Sequence, residues 1–365
     1  LYKKSRRKIK RMIPDCTLST AIYCSNNPIH AARTIQETID VCTALLSIPV
    51  YLAIYGDKDT IPLIRTKRQE FGLDEMTAYY VIEKVDLWSF QYIDKVRENR
   101  QSYWPSRDPR NDEYIHLLQC NKADFVLQTI DKNPFNTTKF GWVDAFLGKD
   151  TIRICENYDP HVLPRILSQI TDKFTIQLLN ACDKKYKLSE FKREYYAEYR
   201  WVVCGGFYTC GATTGKRVLN RIKEIFVETT RLGYGHGEEM LFLEALDEYP
   251  HDIHKAYGDY GQMWNNFIYP TKNLHYVYFV ILHTFLMHGQ YSEFCECAEA
   301  VIEAVNLHIS DIHPETYLKL LVDYCNVVSS RDSTKYDSIK KYIIEVCSKH
   351  PKMKYGLDRF SRHFI

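Results

Sequence analysis

The chain has 365 residues, 45% hydrophobic and 26% charged, the balance of a folded globular protein, which excludes wholesale disorder. Forty-eight Lys and Arg face 46 Asp and Glu, a formal net charge of +2, so no global positive field exists to hold a polyphosphate backbone and no nucleic-acid partner is expected. The longest apolar run, residues 276–287, is broken by His283 and Thr284 and falls short of the ~20 residues a bilayer requires, so no transmembrane segment is expected.

Residues 3–11, KKSRRKIKR, carry seven Lys or Arg in nine positions. They are read as part of a solvated basic tail, residues 1–15; contact with acidic lipid, acidic protein or nucleic acid, or nuclear import, are the functional alternatives. The chain opens on Leu1 rather than Met, which reads as a fragment, and no hydrophobic secretory segment is expected at its start. Twelve cysteines are scattered from Cys16 to Cys347 in a chain large enough to build a core without staples, so reduced thiols are expected.

From Cys16 the pattern alternates. LSTAIYC (18–24) is β-prone, and residues 31–46 have the apolar spacing of a helix. PVYLAIY (49–55) is strand-like and stops at Gly56-Asp57; residues 60–71 are amphipathic; TAYYVI (77–82) is a further strand. An aromatic helical stretch (87–104), a polar loop PSRDPRND (105–112), a long helix (114–130) and the strand FGWVDAF (140–146) follow. Strands alternating with helices predict an α/β unit with a largely parallel sheet, on which ligands gather beyond the carboxyl ends of strands.

A second block, residues 151–269, contains β-prone segments at 174–179 and 199–203, the pair Gly205-Gly206, a helix over 215–230 and the turn GYGHGEE. After Pro270 the predicted segments are all helical, at 274–288, 292–305, 314–328 and 338–350. The expected organisation is a tail (1–15), an α/β domain (16–270) and an all-helical extension (271–365) packed on it.

Asp144 is the most informative single position. An acid at the tip of an otherwise apolar strand can anchor a divalent cation that bridges a diphosphate; the plainer alternative is a turn aspartate. GYGHGEEM (233–240) sets His236 among glycines, ahead of the acids Glu238 and Glu239 at a helix start. One of these acids could orient an acceptor hydroxyl or act as a base; the plainer alternative is an acid pair answering the helix dipole. Gly205 and Gly206, read as following a strand, would let backbone approach a sugar. GATTGK has three residues between its glycines and Arg217 after the lysine, so a phosphate loop is rejected. No zinc spacing, G-x-S-x-G or H-E-x-x-H is present.

The segment 103–148, with its Trp104-Pro105, Lys122, Asn133-Pro134-Phe135 and Trp142-Val143-Asp144, together with Gly205-Gly206-Phe207 and GYGHGEE, resembles the HtrL/YibB-type glycosyltransferase-like proteins of bacteria and giant DNA viruses. The resemblance extends over about residues 17–270. It implies a GT-A-type fold, an α/β domain whose mixed sheet is flanked by helices, and a metal-dependent transferase moving a hexose from a UDP-sugar, with UDP-glucose as the first donor candidate. Asp144 would stand for the family's DxD motif, but the position two before it is Trp142, so only one acid is present. Asp259 and His275 are the candidate supplementary ligands for Mn²⁺ or Mg²⁺. Lys122, Arg107 and Arg110 would neutralise diphosphate charge, Trp104 and Trp142 would shape a base or sugar pocket, and Gly205, Gly206 and His236 would contact the donor. The implied acceptor is a glycan or a collagen-like protein, the implied location the host cytoplasm or a viral factory, and the aromatic-rich helical tail could support a homodimer. Two readings from other classes are a non-catalytic helical-repeat interaction protein and a nucleotide-sugar-binding regulator.

Overall fold

The computed structural model describes residues 14–24, 34–102, 112–146, 162–187, 189–198, 200–234, 237–267, 274–307, 313–349 and 353. The basic run, Trp104, Arg107, Arg110 and His236 therefore lie outside the described residues.

The first half alternates as expected. Strand β1 (Cys16–Ile22) is followed by α1 (Ile35–Leu46), which begins with a reciprocal capping box between Thr34 and Glu37. Then come β2 (Tyr51–Gly56), α2 (Thr60–Glu70) and β3 (Thr77–Val81). Buried Arg68 on α2 ties this unit together: its guanidinium donates to the carbonyls of Leu46, Ile48 and Val50 and to the Thr77 hydroxyl, at 2.7–3.1 Å. The aromatic stretch forms a 3₁₀ turn, Trp88–Tyr92, and then α3 (Ile93–Ser102).

The long helix expected over 114–130 is two helices, α4 (Glu113–Cys120) and α5 (Lys122–Lys132), separated at Asn121. Asn121 is fully buried and its Oδ1 accepts from the Ser89 backbone N–H. Helix α5 ends on Asn133 in the left-handed region, φ 36°, and the Asn133 side chain bonds both backbone groups of Thr137, closing the turn into β4 (Lys139–Val143). Helix α6 (Val162–Leu167), β5 (Phe174–Leu178), α7 (Lys192–Tyr196), β6 (Val203–Gly211), α8 (Ala212–Arg231), a 3₁₀ turn (Glu238–Leu241), α9 (Phe242–Glu248), β7 (Ile253–Tyr257) and α10 (Met263–Asn266) follow. The sequence pattern did not anticipate β7, and it placed Gly205-Gly206 after a strand; both glycines lie inside β6.

The seven strands form one sheet in the order β3-β2-β1-β4-β6-β5-β7. All neighbours pair parallel except β6, which runs antiparallel to both β4 and β5. Period-two alternation divides the strand side chains between two layers. Leu18, Leu52, Ile54, Val143 and Phe207 pack with α1, α2 and α6; Ala53, Tyr55, Trp142, Ile176 and Tyr208 pack with α5 and α8. The architecture is thus a mixed sheet flanked by helices, with a helical C-terminal region, as expected.

That C-terminal region comprises α11 (Leu274–Tyr276), a π-helical segment (Val277–Leu282), α12 (His283–Met287), α13 (Tyr291–Leu307), α14 (Pro314–Ser329) and α15 (Ser333–Lys349). Its buried residues, Val277, Phe294 and Tyr317 among them, are continuous with the sheet layer containing Phe174 and Tyr257. The Tyr276 hydroxyl donates to the Leu179 carbonyl and the Gln290 amide to that of Cys182. Among the described residues no helix is long and apolar enough to cross a membrane, and every cysteine is free.

Candidate active site

Asp144 is the first residue beyond β4, at its carboxyl end, and its backbone N–H donates to the Gly206 carbonyl at 2.8 Å. Because residues two apart on a strand share a face, Asp144 projects on the same side as Trp142. The Trp142 indole Nε1–H donates to Asp144 Oδ1 at 2.6 Å. That side of the sheet carries α5, whose first residue, Lys122, reaches the same oxygen: Nζ lies 2.9 Å from Asp144 Oδ1. Lys122 Nζ is also 2.5 Å from Glu238 Oε1 and 3.1 Å from the Gly205 carbonyl.

Because β6 is antiparallel, its early residues, rather than its last ones, sit beside the end of β4. Gly205 and Gly206 thereby come against the acids. A Cβ on Gly205 would lie 2.5 Å from Glu238 Oε1 and 2.9 Å from Glu239 Cγ; one on Gly206 would lie 3.3 Å from Asp144 Oδ2. Glycine is required here by close approach rather than by φ. Glu239 Oε1 accepts from the Gly205 N–H at 2.9 Å, so the 3₁₀ turn carrying both acids is fixed to the strand. Glu238 and Glu239 are 5% and 7% exposed, whereas the Asp144 side chain keeps 25% of its surface.

The electrostatics follow from this packing. Burial alone would lower the Lys122 pKa, but Asp144 and Glu238 more than offset it and raise it above the ordinary lysine value, so Lys122 remains a charged ammonium. Two carboxylates, Asp144 and Glu238, therefore share one ammonium, and Glu239 follows Glu238 on the same turn. Tyr260, just past β7 and half-buried, lies near these acids. Burial first, then nearby Cys204, Asp144, Glu239 and Glu238, push its phenol well above the usual range. It belongs to the GDYGQ stretch, where the sequence points to Asp259 rather than to the tyrosine.

The remaining expected site residues are distributed differently. Trp142 is 3% exposed and stacked on Phe125 at 5.9 Å, so its ring offers no face to a base or sugar, and its polar edge is spent on Asp144. The Asp259 carbonyl accepts from the Gln177 and Asn266 side-chain amides. His275 lies in the helical region, its ring 4.5 Å from Phe279 and 6.4 Å from His313. Among the described residues no group of three or more His, Cys, Asp or Glu could hold a metal ion, so Asp144, Asp259 and His275 do not assemble into the expected ligand set.

No family model matches the chain, and no curated protein matches it. Among solved structures, the chain is similar to the crystal structure of mouse xyloside xylosyltransferase 1 in its apo form, with 10% sequence identity, a TM-score of 0.35, and coverage of 66% of this chain and 84% of that one. A likeness of that depth carries no residue roles across.

Proposed function

We propose that the chain is a glycosyltransferase that moves a hexosyl group, glucose being the first candidate, from a UDP-sugar to a hydroxyl of a glycan or a collagen-like protein. One observation carries this reading: at the carboxyl end of β4, a fixed acid whose Oδ2 has no hydrogen-bond partner among the described residues faces a strand stripped of side chains at Gly205-Gly206. Open α/β sheets bind ligands at such ends, and the glycines let the acids crowd against the strand there.

The donor set fits a divalent cation held by a single protein carboxylate. Mg²⁺-type ions are commonly bound through one or two carboxylates together with substrate phosphates, rather than in an all-protein cage. Three acids against one ammonium would repel a diphosphate by themselves, and a doubly charged cation offsets that excess. Asp144 would hold Mn²⁺ or Mg²⁺ through Oδ2, and the ion would supply electrostatic stabilisation of the departing diphosphate.

The chain's own residues account for the rest. The bond between sugar C1 and the diphosphate oxygen breaks while the acceptor oxygen bonds C1 and loses its proton. Glu238 is committed to Lys122 by an ion pair, and Glu239, which also anchors the Gly205 N–H, is assigned the acceptor hydroxyl and its proton. The decisive experiment incubates the purified chain with a panel of UDP- and GDP-sugars, with and without Mn²⁺, and measures nucleotide release and sugar transfer. Divalent-dependent release of UDP that Asp144→Asn abolishes is the expected result. Turnover unchanged in Asp144→Asn would remove the assignment, and nucleotide-sugar binding without release would identify a regulator instead.

A further inference from the structure

We propose that Lys122, Glu238 and Trp142 form a clamp that fixes the Asp144 carboxylate in one orientation, with Lys122 and Glu238 as positioning residues that do not themselves touch the donor. This deepens, and rests on, the transferase reading of the same site.

A lysine ammonium has three N–H donors. Lys122 meets three acceptor oxygens, on Asp144, Glu238 and the Gly205 backbone, at 2.9, 2.5 and 3.1 Å. No donor is left over for a phosphate oxygen, so Lys122 could serve as a diphosphate ligand only by abandoning a partner. Two of those partners lie on separate elements, β6 and the 3₁₀ turn, and the Gly205–Glu239 bond holds these two elements to each other. Glu238 in turn keeps Lys122 in place from a side chain that is only 7% exposed.

The consequence falls on Asp144. Its Oδ1 takes two donors, the Trp142 indole N–H and the Lys122 ammonium, while Oδ2 points towards Gly206, where even a methyl group would come within 3.3 Å. A carboxylate held by one oxygen in this way presents the other in a single direction. Partners that orient a ligating group typically contribute much of its affinity for the ligand.

The test uses the full chain, UDP and MnCl₂, with binding read by calorimetry in Mn²⁺ and again in EDTA. A second readout needs no ligand: the indole N–H resonance of Trp142, identified among the five tryptophans by Trp142→Phe. Lys122→Met and Glu238→Gln should each weaken Mn²⁺-dependent UDP binding by roughly 10–100-fold, leave UDP binding in EDTA within about twofold, and shift the Trp142 resonance. If Lys122→Met weakens UDP binding equally in EDTA and in Mn²⁺, Lys122 is a direct donor ligand and the clamp is wrong. Loss of turnover in Glu238→Gln with Mn²⁺-dependent UDP binding intact would make Glu238 an acceptor-side group and also overturn it. Should the wild-type chain bind no UDP in either condition, the donor assignment fails; the clamp then stands or falls on the resonance, and an unmoved signal in both variants refutes it. Glu238→Gln retains the ammonium but removes the charge that holds it against Asp144, and it carries the test if Lys122→Met does not fold.

Discussion

Removing the ammonium of Lys122 should expose how strongly the site's charges depend on one another. In Lys122→Met, the Glu238 side chain stays 7% exposed with no counter-charge, while Asp144 retains its Trp142 donor and has a quarter of its side-chain surface in water. Breaking a buried pair by deleting one partner costs about 3–5 kcal/mol, and the hydration left to Asp144 favours the lower end, about 3 kcal/mol. Glu238→Gln leaves the ammonium with Asp144 and the Gly205 carbonyl, so about 1.5 kcal/mol is expected. The double variant removes both charges and should cost about 2.5 kcal/mol, a coupling of about 2 kcal/mol. Urea unfolding of all four proteins measures this, provided the slopes agree. The pH dependence is fixed in sign. A lysine whose folded pKa is raised contributes its full stabilisation below the unfolded value of about 10.4 and loses it only as pH climbs beyond that through the folded value. The coupling should therefore be the same at pH 6 and pH 8. Costs that simply add, within about 0.5 kcal/mol, would show that the three charged groups do not act as a unit.

Three further outcomes are expected. Arg68→Met deprives three buried carbonyls and the Thr77 hydroxyl of their donor and should cost about 3 kcal/mol or more, read from the urea midpoint; a loss under about 1 kcal/mol would mean the carbonyls find other partners. Gly205→Ala pushes a methyl group against Glu238 and should cost about 1–3 kcal/mol by overpacking, with a lower melting temperature in calorimetry. Burial holds the carboxyl of Asp323 above its ordinary pKa, despite the Tyr278 hydroxyl at 2.6 Å, so ionising it opposes folding and stability is lost as pH rises through the range between its unfolded and folded values. Asp323→Asn should thus match or exceed the wild type in stability at pH 7, and the gap should close as pH falls towards about 4.

How far the sequence foretold all this depends on where the physical cause lies. Strands such as β1 and β2 were legible because they are buried and the sequence is apolar and β-branched there. Strand β7, IHKAY, lies at the sheet edge with His254 exposed, so the apolar pattern is diluted and the strand exists through its pairing with β5. The break at Asn121 coincides with a buried hydrogen bond to Ser89, thirty-two residues away, which no local periodicity reports. Within the site, Asp144 stood out as an acid ending an apolar strand, and the Trp142 contact could have been read from its two-residue spacing. The Lys122–Glu238 pairing spans 116 residues and needed the fold. So did Gly205-Gly206: glycines weaken a strand in isolation, and their place inside β6 makes sense only once the neighbouring carboxylates fill the space side chains would have taken.

The reversed direction of β6 separates two design problems that a uniformly parallel sheet would merge. Its opening residues border the acids, while its far end, at Gly211, joins α8 on the opposite rim beside Asp172. The two ends of this strand are therefore anchored independently: the rim by the carboxylates of Glu238 and Glu239, and the helix-bearing end by Asp172, whose carbonyl accepts from the Gly211 N–H and whose backbone crowds Gly211 much as the acids crowd Gly205.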